Sequence, residues 1–494
     1  MDVASGGYQL TRWLFQRALA GIYLVGFAAA VNQFRPLLGT RGLLPVPSFL
    51  ERAGFWSYPS LFHVHYSDMF AMGLAWTGVA VSLLALSGFS ESFGTPVSMT
   101  VWALLWLLYL SFVNVGQTWY SFGWETLLLE TGFLAIFLGA RNVATPVVVV
   151  WLLRWVLFRL MLGAGLIKLR GDPCWRDLTC LIYHYQSQPM PNPLSWYFHW
   201  LPARVHKLGV LFNHFTELVV PFGYLVPVRQ GLYVAGACTI AFQAMLILSG
   251  NLSWLNYLTI VLAISCFDDR LLSRFLPIDP GGLQPLAMPH GTAVIALAIA
   301  VGFLSIYPVR NMLSPGQAMN ASFEPFHLVN TYGAFGSVSR ERDEVILEGT
   351  TDETIAPRSV WKEYVFKGKP GDLKRCPPVV APYHMRLDWL MWFAALDPAY
   401  ADPWMLPLVG RLLQNDPAVL GLMGRNPFSD RPPRFIRARL YRYAFTSSAE
   451  KRATGAYWKR TLLGEYLPPI SLDMPGFVEA LEQQGGGNVK GGTT

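Results

Sequence analysis

The chain has 494 residues, 53% of them hydrophobic and only 14% charged, with a mean hydropathy of +0.33. That balance excludes an ordinary soluble protein of this size and predicts a multi-pass membrane protein. The net charge of +7 is modest and spread along the chain, which fits anionic lipid headgroups and argues against nucleic acid as a partner.

A helix needs roughly 20 mostly apolar residues to cross the hydrocarbon core. About nine segments approach that length. They lie near 14–31, 68–88, 100–117, 122–140, 146–167, 211–228, 231–250, 252–267 and 289–308. The expected fold is an α-helical multi-pass membrane bundle of about eight or nine spans over 1–310. A soluble, mixed and mainly β domain is expected over 311–475, and a disordered tail over 476–494. The first apolar run, GIYLVGFAAAV, has no convincing small-residue cleavage site and is read as a retained helix. Arg12, Arg17 and Arg141 favour a cytoplasmic N-terminus, whereas Arg35, Arg41 and Arg52 argue against it, so charge alone leaves the orientation open.

Ionisable groups are costly in hydrocarbon and are tolerated chiefly when paired or lining a polar cavity. The stretch 121–168 carries Glu125 and Glu130 in one candidate helix and Arg154, Arg159 and Lys168 in the next. A hairpin turning near Val143 would bring Glu130 level with Arg154, and Glu125 level with Arg159. Residues five apart on a helix differ by about 140° in direction. One direct pair is therefore expected, with the other pair satisfied by further helices. Such a network either fixes helix register or lines a functional cavity.

Lys168 precedes Gly171 at the end of its helix. It reads as a cation complementing the helix C-terminus, or as a desolvated base beside a cavity. In NHFTELVVPF, His214 and Glu217 stand three apart on one helical face, suited to hydrogen bonding. Two such residues do not make a metal site, and no metal is expected.

The loop 169–210 is too polar to span and too aromatic for a plain linker. Prolines at 189, 191 and 193 favour extended backbone there. It reads either as an interfacial loop or as a lid whose Asp172, Trp175, His184, Gln188 and Asn192 sit at the mouth of a cavity. Cys174 and Cys180, six apart, could form a disulfide, though spacing alone leaves this open. There are five cysteines and no C-x-x-C pair, so no thioredoxin-like centre is expected.

Beyond residue 310, VILEGT and WKEYVFK alternate as antiparallel strands of a sandwich-like sheet. HMRLDWLMWFAAL and PWMLPLVGRLLQ read as helices, and strands resume at FIRARLYRYAFT. His384 and Asp388 are read as structural, in the absence of a nucleophile motif such as G-x-S-x-G.

Three long strings carry a specific resemblance: GQTWYSFGWETLLLETGFLAIFL, RLMLGAGLIKLRGDPCWRDLTCLIYHYQSQPMPNPLSWYFH, and NPFSDRPPRFIRARLYRYAFTSS followed by WKRTLLGEYLPPISL. Together they resemble the lipase maturation factor family, from about Thr11 to Leu472. The resemblance implies a multi-pass protein of the endoplasmic reticulum membrane, or of the inner membrane in a bacterium. It implies a non-enzymatic chaperone needed by secreted dimeric lipases, such as lipoprotein lipase and hepatic lipase. The domain after about residue 310 would face the client.

A more distant resemblance joins AGLIK and GDPCW to the membrane region of vitamin K-dependent gamma-carboxylases. Lys168, Asp172 and Trp175 match, which implies a rival reading: a membrane enzyme or quinone-linked redox protein with Lys168 as base. The sequence identifies no cofactor.

Overall fold

A computed structural model describes residues 7–278, 283–477, 479 and 481. Most of the tail expected to be disordered, 476–494, lies outside the described residues. Six helices among these are long and apolar enough to cross a membrane: Gln9–Leu38 (α1), Asp68–Ser87 (α2), Thr95–Val115 (α3), Val147–Arg170, Arg229–Ser249 and Met288–Leu313. The remaining three expected spans are helical but short or interrupted. Gly123–Ala135 (α4) runs on through a tight turn at Ile136–Leu138 and precedes Val147–Arg170 (α5). Ala203–His214 (α6) continues through a widened π-type turn, Phe215–Val219, into Val220–Gly223. Leu255–Ala263 (α8) follows Arg229–Ser249 (α7) and ends in a tight turn at Ile264–Cys266.

By length and composition, six of the expected eight or nine spans are long enough to cross on their own among the described residues. The short helices can be short because protein surrounds much of them: Trp124, Leu127, Leu128 and Leu129 of α4 and Leu258, Val261 and Leu262 of α8 are all buried.

Aromatic rings fill the space between α1 and α3. Tyr109 meets Tyr23 and Phe27 edge-on at 5.7 and 5.4 Å, and Phe112 meets Phe34 at 4.9 Å. Ser67 caps the start of α2 by accepting from Phe70 N, and Gly88 ends it at φ +72, a conformation that favours glycine.

Polar side chains tie both ends of the bundle. At one end Arg12 donates to the carbonyls of Val143 and Arg141 at 2.8 and 2.9 Å, while Asp269 accepts from the backbone of Gln9 and Leu10. At the other, Gln33 Nε2 donates to the His384 carbonyl at 2.6 Å, and Asn251 Nδ2 donates to the carbonyls of Pro191 and Pro378.

Among the described residues the C-terminal region is built mainly on a four-stranded antiparallel sheet, beside a two-stranded pair of Val365–Phe366 and Met423–Arg425, rather than on a sandwich. The strands of the larger sheet are Arg342–Thr350 (β1), Lys362–Glu363 (β2), Phe435–Phe445 (β3) and Trp458–Ile470 (β4), in the order β2-β1-β3-β4. The predicted helices form at Arg386–Leu396 and Met405–Leu413. Leu387, Leu390, Met391 and Ala394 of the first share a core with Val345 and Leu347 of β1. An apolar helix thus takes the place a second facing sheet would have. The basic residues of β3 are matched across the sheet: Arg437 bonds Glu348 at 2.7 Å, and Arg442 bonds Asp343 at 2.9 Å.

The boundary near residue 310 is not a clean separation. The strand pair Ala321–Ser322 and Asn330–Thr331 leads into Tyr332, whose hydroxyl bonds Glu130 of α4 at 2.6 Å.

Candidate functional site

The buried charges of the bundle form separate clusters rather than one network. Arg159 pairs with Glu130, not Glu125, and its other nitrogen donates to the Asn330 carbonyl at 2.5 Å. Glu130 Oε2 also accepts from Asn330 N at 3.0 Å and from Tyr332. Glu125 turns the other way, to Arg386 at 2.7 Å and to the Tyr109 hydroxyl. Arg154 meets no carboxylate among the described residues: it donates twice to the Ser265 carbonyl, at 2.9 and 2.7 Å, and once to Tyr8. Matching depth along a hairpin cannot select these partners, because three of them, Asn330, Tyr332 and Arg386, come from beyond residue 320.

Lys168 and Glu217 make the fourth cluster. Both side chains are buried, and the ammonium lies 2.5 Å from Glu217 Oε1 and 3.2 Å from Asn213 Oδ1. The indole of Trp175 covers it, 5.0 Å from Nζ to the ring centre. Lys168 is thus enclosed rather than snorkelling to a surface. The π-type turn at 215–219 widens the helix where Glu217 must turn inward; such turns add one residue per turn and recur at functional sites. His214 is directed elsewhere, with Nε2 2.9 Å from the Trp175 carbonyl.

These groups border a cavity of ≈ 70 Å³ between α5, α6, α7, α8 and the loop. Lys168, Trp175, His184, Asn213, Glu217 and Asn256 supply much of its polar and aromatic lining. Leu160, Met161, Ala164, Leu246, Leu252 and Leu255 supply much of the rest.

Of the five loop residues expected at a mouth, Trp175 and His184 reach this cavity. Burial and the Lys168 ammonium hold the His184 imidazole down at about 4, so it is neutral at physiological pH. Asp172 caps Pro173–Arg176 and binds Arg340 at 2.7 and 2.9 Å, which brings its carboxyl down to about 2. Gln188 and Asn192 lie in a different knot, around Ser195 Oγ and the Ser249 and Ile247 carbonyls. The loop is packed structure, with helices at Pro173–Arg176, Cys180–Ser187 and Ser195–His199. A Cys174–Cys180 disulfide staples it.

Sequence reasoning missed Arg386 as a partner of Glu125, and it missed Asn213 and Asn256 as cavity groups. The available signal was a lone arginine opening the apolar helix RLDWLMWFAAL. Among the described residues, no group of three or more His, Cys, Asp or Glu side chains is placed to hold a metal.

Two family models match the chain in order: lipase maturation factor transmembrane domain over residues 10–274, and lipase maturation factor C-terminal domain over 328–468. The chain belongs to the lipase maturation factor family. It is 46% identical to lipase maturation factor 1 of Bos taurus, covering 94% of this chain and 90% of that one. With lipase maturation factor 1 of Homo sapiens the identity is 43%, over 95% and 89%. Lipase maturation factor 2 of Homo sapiens is 30% identical, over 97% and 85%. No solved structure matches the chain. The family assignment gives no support to the carboxylase likeness, and the Lys168 ammonium is already committed to Glu217.

Proposed function

We propose that this protein is a membrane-embedded maturation factor that assists folding and assembly of secreted lipases. The observation that carries the reading is likeness along nearly the whole chain, in both domains, to proteins named lipase maturation factors. A chaperone also agrees with the buried charges, which are occupied with one another and with backbone carbonyls.

The proposal includes nine crossings of the bilayer and a lumenal C-terminal domain in the endoplasmic reticulum. The three short helices run between the same two ends of the bundle as the long ones. Glu125, near the start of α4, meets Arg386 of the C-terminal domain, while the Leu138 carbonyl just past its end approaches Arg12 at 3.4 Å. An odd number of crossings puts the N-terminus and the C-terminal domain on opposite sides. The Cys174–Cys180 disulfide supports an oxidising side for the loop, and Asp172–Arg340 ties that loop to the C-terminal domain. The exposed Leu462 and Leu463 on strand β4, at the sheet edge, offer unfinished clients an apolar edge to meet.

The test is the specific activity of a secreted dimeric lipase in cells lacking their own maturation factor. Expression of this chain is expected to restore active dimer; normal abundance without restoration overturns the reading. For topology, a membrane-impermeant maleimide should label exposed Cys376 in sealed microsomes only after permeabilisation.

A further inference from the structure

The cavity beside Lys168 is bordered by four buried polar atoms that find no hydrogen-bond partner among the described residues. Asn213 Nδ2 and Asn256 Nδ2 are donors, and Asn256 Oδ1 and Glu217 Oε2 are acceptors. The three residues are only 5%, 2% and 4% exposed, in the order Asn213, Asn256, Glu217. Buried polar groups are nearly always hydrogen-bonded, so four orphans around one space make a complementary set awaiting a partner.

The charge of the site is already balanced. Lys168 is committed to Glu217 and Asn213, so an added anion would meet Glu217 with no further cation in the described lining, and an added cation would meet Lys168. The opposite wall is hydrocarbon, from Leu160, Ala164, Leu246 and Leu255. The outer wall is α7, whose Met245 and Leu248 are exposed on the bundle surface. An occupant must therefore be uncharged, apolar over most of its body, and able to both donate and accept at its head.

We propose that this cavity binds the head of a neutral lipid with two free hydroxyls, the chemistry of a monoacylglycerol. Each hydroxyl donates one hydrogen bond and accepts others, so two of them answer two donors and two acceptors. A fatty ester without hydroxyls has nothing to give Glu217 Oε2 or Asn256 Oδ1. At ≈ 70 Å³ the space suits a small polar head and the start of a chain, with the remaining chain leaving toward the bilayer. This proposal does not depend on the identity of the client.

The experiment uses the full chain in phosphatidylcholine nanodiscs, titrated separately with 1-monooleoylglycerol, methyl oleate and glycerol. Bound lipid is read by native mass spectrometry, and saturable stabilisation by thermal melting. Monooleoylglycerol is expected to be retained at one per chain, with an apparent affinity about tenfold or more above methyl oleate. Glycerol is expected to give no saturable shift. Ala164→Leu fills the apolar wall with added hydrocarbon while leaving every polar side chain of the lining in the sequence, and should abolish retention.

Equal retention of monooleoylglycerol and methyl oleate overturns the proposal, because the head then contributes nothing. So does undiminished retention in Ala164→Leu, or glycerol binding as tightly as the lipid. Retention of none of the three also overturns it and leaves the space to water. If Ala164→Leu fails to fold, the comparison of the three compounds on the wild-type chain decides.

Discussion

The Arg386 guanidinium of the C-terminal domain lies 2.7 Å from Glu125 of α4, with both side chains fully buried. The same guanidinium donates to the Trp119 carbonyl at 2.6 Å and sits 3.4 Å from the centre of the Tyr120 ring. Arg386 therefore joins the C-terminal domain to the membrane bundle. Removing one partner strands the other charge, which costs about 3–5 kcal/mol, whereas removing both avoids that penalty. Arg386→Met is expected to lower the melting temperature and cellular abundance sharply, and Glu125→Gln with Arg386→Met to recover most of the loss. A single variant as stable as wild type would show that the pair does not hold the domains together.

Tyr332 makes the corresponding tie at Glu130, through a hydrogen bond of 2.6 Å. Tyr332→Phe keeps the ring and deletes the donor. The expected loss is about 1–2 kcal/mol, read as a lower melting temperature in detergent. In an Arg159→Met background the Tyr332 effect should change, because both groups share one carboxylate.

Acid should weaken the fold through buried histidines, of which His384 and His184 are fully enclosed. Burial is the main cause holding His384 and His184 at about 4 against an ordinary 6.5. His384 is enclosed by Phe122, Trp124, Trp254 and Trp389, with Glu125 3.6 Å away and Arg386 opposing protonation. A depressed value means that the unfolded chain takes up the proton first. The stabilisation is complete above about 6.5 and is lost as pH falls toward about 4. Melting temperature measured from pH 8 down to 4 is expected to fall through that window; a flat profile would contradict the neutral, buried state of both rings.

The disulfide predicts a cysteine count. Alkylation of the denatured, unreduced chain should modify the three free cysteines, Cys238, Cys266 and Cys376, and prior reduction should expose Cys174 and Cys180 as well. Cys174→Ser with Cys180→Ser should cost about 2 kcal/mol, since the closed loop is short. Labelling of all five without reductant would place the loop in a reducing compartment.

Much of the bundle could be read from hydrophobic length, because lipid-facing helices such as Asp68–Ser87 and Met288–Leu313 must be long and apolar. The interior helices were harder: Gly123–Ala135 and Leu255–Ala263 are shielded by neighbours, so length no longer distinguishes them from buried helices of a soluble core. Charged residues inside the bundle were easy to find and hard to pair. Depth along a hairpin is local information, while Asn330, Tyr332 and Arg386 arrive from a region that reads as a separate domain. For the same reason a sandwich was expected where a helix covers one sheet. The Lys168–Glu217 pair joins two stretches singled out by their charge, but the inward turn of Glu217 depends on a π-type turn that side-chain periodicity does not encode.

The distance along the chain between Glu125 and Arg386 also sets an order of events during synthesis. The two are 261 residues apart. At roughly 5–20 residues per second, the ribosome needs about 13–50 s to reach the arginine after making the glutamate. For that interval α4 is a newborn membrane segment with an unneutralised acidic side chain, and the bundle cannot close around it. Neutralisation of Glu125 by Arg386 is therefore expected to be a late step in folding, after synthesis has passed residue 386.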